Sequence, residues 1–179
     1  MRFRRIAIAV SALTLTGLLG AVPTASAEPY CGITWGSLPK AVTQGTTAPI
    51  VNVRTGRHDC WDRLVLDLTG MPAPGYDVRY VDSYRFLASG DVIPVSGGAI
   101  LTVRAFAPAM VSWRTPNVVT PSEFSAAGYR TFRDLVYGGS DGRNTEFALG
   151  VRARLPFRVF TLTGPDNTSR LVVDVAHQW

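Results

Sequence analysis

Residues 62–70, DRLVLDLTG, and residues 169–177, SRLVVDVAH, write one pattern twice: Arg-Leu-Val-apolar-Asp-apolar. The period is two. In the first copy Leu64, Leu66 and Leu68 share one face, and Val65 and Asp67 share the other. In the second copy Leu171, Val173 and Val175 match the leucines, and Asp174 matches Asp67. Successive side chains of an extended chain point to opposite sides, so this alternation predicts strands with one face in a core. Each copy follows a second alternating run and a turn glycine: residues 51–55 with Gly56, and residues 159–163 with Gly164. The chain therefore reads as two related hairpins. Asp67 and Asp174 face outward or pair with cross-strand arginines, which makes them scaffold before catalysis.

Similar short alternating runs occur at residues 50–54, 76–81, 100–106, 147–151 and 157–162, separated by Gly- and Pro-rich turns such as Pro72-Ala73-Pro74-Gly75 and Ser96-Gly97-Gly98. Short strands at this spacing predict a mostly β, antiparallel β-sandwich. One short helix is expected. Thr120-Pro121-Ser122-Glu123 has the capping-box form, with Pro at the first helical position and Glu three residues after the cap; Gly128 ends the helix, and a strand follows. A longer helix through Val136 is the alternative, because Phe124, Phe132, Leu135 and Val136 roughly share a helical face.

The first 27 residues read as a secretory signal peptide: a basic start (MRFRR), an apolar run, and Ala25-Ser26-Ala27 before Glu28 in the small-x-small form of a cleavage site. The apolar run carries Ser11, Thr14 and Thr16 and stops at Pro23, short of the roughly 20 residues that a bilayer core requires. Residues 28–179 then form a single exported domain. Losing Arg2, Arg4 and Arg5 from the 18 basic residues leaves 15 against 13 acidic, a net charge of +2 instead of +5. That is too little to call for nucleic acid. Cys31 and Cys60 are the only cysteines. An even number in an exported chain predicts a disulfide between them. His58 and His177 are the only histidines, no Cys/His cluster has ligand spacing, and no cofactor is called for.

Two enzyme readings need weighing. Ser-His-Asp chemistry would have to use His58 or His177, but no Gly-x-Ser-x-Gly elbow is present. A glycan hydrolase requires only two spaced carboxylates, for which Asp59, Asp62, Glu123 and Glu146 are the candidates. A protein-binding module, with aromatics and arginines as its interface, is the further alternative.

Residues 53–82 (VRTGRHDCWDRLVLDLTGMPAPGYDVRYVD) and 156–177 (PFRVFTLTGPDNTSRLVVDVAH) resemble the AMIN-like domain of secreted and lipid-anchored proteins of high-GC Gram-positive bacteria. The match is carried by Gly56-Arg57-His58, Trp61-Asp62-Arg63, Pro74-Gly75-Tyr76, Arg79-Tyr80-Val81 and the closing Arg170-Leu171-Val172-Val173-Asp174. AMIN domains, to which that family is distantly similar, are β-sandwiches with two related halves. They are non-catalytic and hold envelope proteins, notably peptidoglycan amidases, at the wall. The resemblance thus implies a non-catalytic, exported, wall-associated module. Its ligand would be peptidoglycan or another cell-wall polymer; its partner could instead be another exported protein. Since this sequence carries no second domain to deliver, the domain would bind on its own account or serve that partner. Aromatic faces can stack on sugar rings and arginines can fork onto carboxylates or phosphates. The expected contacts are Trp35, Tyr76, Arg79 and Tyr80, followed by Trp61 and Arg63. On strand 76–81, however, Tyr76, Val78 and Tyr80 share one face and Arg79 lies on the other, so only one of those faces can line the core.

Overall fold

The computed structural model describes residues 28–109 and 124–179. Among these residues eleven strands form three antiparallel sheets. The four-stranded sheet has the order β10-β11-β3-β2, built from β2 (Ile50–Arg57), β3 (Trp61–Leu68), β10 (Phe157–Thr163) and β11 (Ser169–Ala176). The five-stranded sheet runs β1-β4-β7-β9-β8, with β1 at Lys40–Val42, β4 at Tyr76–Val81, β7 at Ala99–Ala105, β8 at Phe132–Ser140 and β9 at Thr145–Val151. A small hairpin, β5 (Tyr84–Arg85) with β6 (Val92–Ile93), makes the third. Its Tyr84 side chain lies so close to β8 that a Cβ at Gly138 would stand 1.7 Å from the phenol oxygen, so a side chain there would have to displace the Tyr84 ring.

The inner faces of the two larger sheets meet in one core. Leu64, Leu66 and Leu68 of β3 and Leu171, Val173 and Val175 of β11 pack with Val78, Leu101, Val103, Phe132, Leu135, Phe147, Leu149 and Val151 of the opposing sheet. All six inward positions read from the repeat are buried. The sandwich and its two related hairpins are therefore present.

The two copies of the repeat are nearest neighbours. β3 and β11 pair antiparallel, with Val65 opposite Val172, Arg63 opposite Asp174 and Asp67 opposite Arg170. Because the copies run in opposite directions about a centre at Val65 and Val172, each arginine of the motif meets the aspartate of the other copy. The alternating pattern so places the complementary charges on one face without further instruction. The turns differ more than the sequence implies. Gly56 stands opposite Arg63, but in the second hairpin it is Leu162, not Gly164, that stands opposite Arg170. The outer face also departs from simple solvation: Val65 and Val172 are buried, at 4% and 1% exposure, between Arg54 of β2 and Phe160 of β10.

The helix expected from Thr120 begins outside the described residues, and its remainder, residues 124–128, is coil and turn. The described helical structure is a single 3-10 turn at Tyr30–Gly32. The strand expected after Gly128 is β8. It contains two register shifts, between Phe132 and Asp134 and between Tyr137 and Gly139. A bulge inserts one residue and reverses the alternation. Phe132 and Leu135, three apart, consequently both reach the core.

Cys31 and Cys60 form the disulfide, tying the 3-10 turn to the residue that precedes β3. The bridge spans 29 residues. By loop-closure entropy it stabilises the fold by roughly 3–4 kcal/mol. Intact mass of the native protein should be two hydrogens below that of the reduced chain, and a Cys31→Ser/Cys60→Ser variant should unfold at correspondingly lower denaturant. Two free thiols in the native protein would refute the bridge.

Candidate functional site

The six expected contact residues do not form one surface. Tyr76 and Tyr80 turn inward against the core. Tyr80 donates its hydroxyl proton to Leu155 O at 2.8 Å, accepts from Leu155 N at 3.0 Å, and packs edge-on to Phe157. Burial pushes its pKa up to about 12 against the opposing effects of the Leu155 hydrogen bond and the nearby Arg154. Tyr76 is half-buried beside Val159. Arg79 lies on the outer face of the five-stranded sheet, paired with Asp77 two residues away.

Trp35, Trp61 and Arg63 do come together, on the outer face of the four-stranded sheet. What assembles them is the carboxylate of Asp174, which has 0% side-chain exposure. Arg63 forks onto it, Nε to Oδ1 at 2.6 Å and Nη2 to Oδ2 at 2.9 Å. Arg158, from the adjacent edge strand β10, donates Nε to Oδ2 at 2.8 Å. A carboxylate removed from water is stable only when its oxygens are engaged in this way, and two guanidinium groups meet that need. The bonds to Asp174 hold the Arg63 guanidinium above its ordinary pKa.

Arg158 in turn is walled by rings. Its guanidinium carbon lies 4.4 Å from the Trp35 ring centre, 5.1 Å from Trp61 and 5.1 Å from Phe160. Arg63 stacks on Phe160 at 5.6 Å. Trp35 and Trp61 meet edge-on at 5.7 Å, and His58 stacks on Trp61 at 5.4 Å. The loop carrying Trp35 is fixed by the bond from Phe157 N to Gly36 O at 2.9 Å and by the nearby disulfide. The result is a rigid aromatic and arginine platform whose tryptophans remain partly open to solvent. Sequence reasoning missed Arg158 and Phe160. Their signal was present, since both sit on one face of the alternating run 157–162, but their neighbours are decided by β10 pairing with β11.

Three of the enzyme candidates, Asp62, His177 and Glu146, are engaged in structural contacts. Asp62 is fully buried; its Oδ2 accepts from Thr131 N at 2.6 Å and Phe132 N at 3.0 Å, and its Oδ1 lies 3.1 Å from His177 Nε2. The other ring nitrogen of His177 lies 3.2 Å from Asp59 O. Both nitrogens therefore have protein partners, and neither is directed at a nucleophile. Glu146 is paired with Arg104, and Glu123 lies outside the described residues. Among the described residues no group of three His, Cys, Asp or Glu side chains is placed to hold a metal ion, and no helix is long and apolar enough to cross a membrane.

A search of curated proteins found no match. The AMIN-like domain model matches residues 48–177, from two residues before the start of β2 to the histidine that closes on Asp62. That span contains both hairpins, the whole five-stranded sheet except β1, and every residue around Asp174 except Trp35, and the chain belongs to the AMIN-like domain family.

Proposed function

We propose that this protein is a non-catalytic, exported module of the cell envelope that binds peptidoglycan or an associated wall polymer. The observation that carries the reading is the platform around Asp174. Trp35 and Trp61 are held in place before any ligand arrives, so little side-chain entropy is lost when a sugar ring is laid on them. Arg63 and Arg158 supply charge beneath the rings. Membership of a family of envelope modules supports the same reading. The contact set narrows accordingly to Trp35, Trp61 and Arg63, joined by Arg158 and His58, while Tyr76 and Tyr80 serve the core.

The exported protein should sediment with insoluble wall material in a salt-sensitive manner. Trp35→Ala should weaken retention several-fold while lowering the unfolding midpoint by no more than about 2–4 °C, the shift expected of a loss near 1 kcal/mol in a domain of this size. Arg79→Gln, on the opposite sheet, should leave retention unchanged. If folded protein is retained on no wall fraction but captures one exported protein, the protein-binding alternative replaces this one.

A further inference from the structure

The domain has 13 arginines and one lysine in its described residues, and their pairing is uneven. Arg54, Arg63, Arg79, Arg104, Arg158 and Arg170 each face a carboxylate. In the concavity beneath the β5–β6 hairpin, for example, Asp77 and Glu146 neutralise Arg79 and Arg104, and Arg85 bonds to Gly90 O of its own hairpin turn. At the end of the sandwich where β11 stops, the situation is different. An open groove of about 580 Å3 is lined there by Arg130, Arg152, Ala153, Leu155, His177 and Trp179. Neither of its arginines has a carboxylate partner among the described residues.

Among the described residues, both guanidinium groups hydrogen-bond only to main-chain oxygens. Arg130 Nη1 donates to Asp59 O at 3.4 Å, and Arg152 Nη2 donates to His177 O. Each guanidinium has five N–H donors, so most of both forks is uncommitted. The carbonyls that anchor them are themselves fixed: Asp59 O lies beside the His177 ring, and His177 N donates to Cys60 O next to the disulfide. Trp179 stands on the rim at 66% exposure, its ring oriented by an N–H bond to Arg154 O at 3.0 Å. Two like charges share a concave site with an exposed indole, which is the complement of an oxyanion attached to a flat, weakly polar body.

We propose that this groove is a binding site for an oxyanion, carboxylate or phosphate, carried beside a sugar or short peptide: Arg130 and Arg152 hold the anion and Trp179 covers the adjoining face. For its biological ligand the inference rests on the wall-binding reading, since both stem-peptide carboxylates and wall-polymer phosphodiesters present this chemistry. The groove itself stands on its unpaired arginines.

The test is a nitrogen-15 NMR titration of the exported protein, following the Trp179 indole N–H and the Arg130 and Arg152 Nε–H signals. Three soluble probes are compared at matched ionic strength: a disaccharide peptide with free stem carboxylates, the same compound fully amidated, and a glycerol-phosphate oligomer. One or both anionic probes should give saturable shifts and the amidated one none; which anion saturates identifies the source. Arg130→Gln and Arg152→Gln should each weaken binding about tenfold or more, the loss expected of a charge-assisted hydrogen bond. Arg152 also anchors His177 O, so Arg130→Gln, with its single long carbonyl contact, decides the matter if Arg152→Gln fails to fold. Shifts that rise linearly with every salt, or that survive Arg130→Gln, would overturn the site. Full retention on wall material without saturable probe binding would overturn the groove and keep the wall reading. Saturable probe binding by protein that no wall fraction retains would do the reverse.

Discussion

Asp62→Ala is expected to lower the unfolding free energy by about 3–5 kcal/mol, the largest loss for any single polar substitution in this domain. The carboxylate is fully buried at the start of β3 and accepts the main-chain N–H groups of Thr131 and Phe132, where β8 begins, while its second oxygen faces His177. Alanine leaves two buried donors and an imidazole without their acceptor and opens space that the strand ends cannot close. Asp62→Asn, which keeps one carbonyl oxygen, should cost roughly half as much. Urea unfolding at neutral pH measures both. A loss below about 1 kcal/mol for the alanine variant would mean that β8 is not held through this carboxylate.

Leu66→Ala is expected to cost about 2–5 kcal/mol. Leu66 has 0% exposure and is paired with Leu171 across the centre of the four-stranded sheet, with the five-stranded sheet behind it. Truncation there removes apolar contact and leaves a cavity in a layer held by strands on both sides. Val173→Ala, on the other copy of the repeat, removes fewer atoms from the same layer and should cost about 1–3 kcal/mol. Val65→Thr, on the opposite face, keeps the volume but places a hydroxyl at a site of 4% exposure, so a smaller loss of about 1–2 kcal/mol is expected. Equal losses at positions 65 and 66 would mean that Leu66 does not fill the layer between the two sheets.

The strands that carry the core were legible because alternation is a local property. Residues 76–81 were read as a strand and form one with the same bounds, and the inward leucines and valines of both repeats are buried as expected. The short pairings at Lys40–Val42, Tyr84–Arg85 and Val92–Ile93 were not legible, since two or three residues carry no period. β8 was ambiguous for a definite reason. Its first bulge brings Phe132 and Leu135 to the same side, which imitates the three-to-four spacing of a helix. The candidate site was half legible. Trp61 and Arg63 were identifiable as neighbours on one strand face, and Trp35 joins them. That Arg158 would be the cation between the tryptophans depends on which strand lies beside β11, and that Arg130 and Arg152 would lack acids depends on the positions of every carboxylate in the fold. Neither is encoded in a window of sequence.

The centre between Val65 and Val172 relates the two hairpins much as a dyad relates the subunits of a homodimer, in which contacts come in identical pairs. In a true homodimer one gene dictates both members of each pair, and neither can change alone. Here the two members are written separately, and they have parted. Asp67 keeps Arg170 from the other copy and Arg54 from its own hairpin but remains 22% exposed. Asp174 keeps the equivalent Arg63 and takes Arg158, and there the aromatics have gathered. Joining the halves in one chain thus frees one copy to gather an aromatic and arginine surface while its twin goes on bearing the architecture.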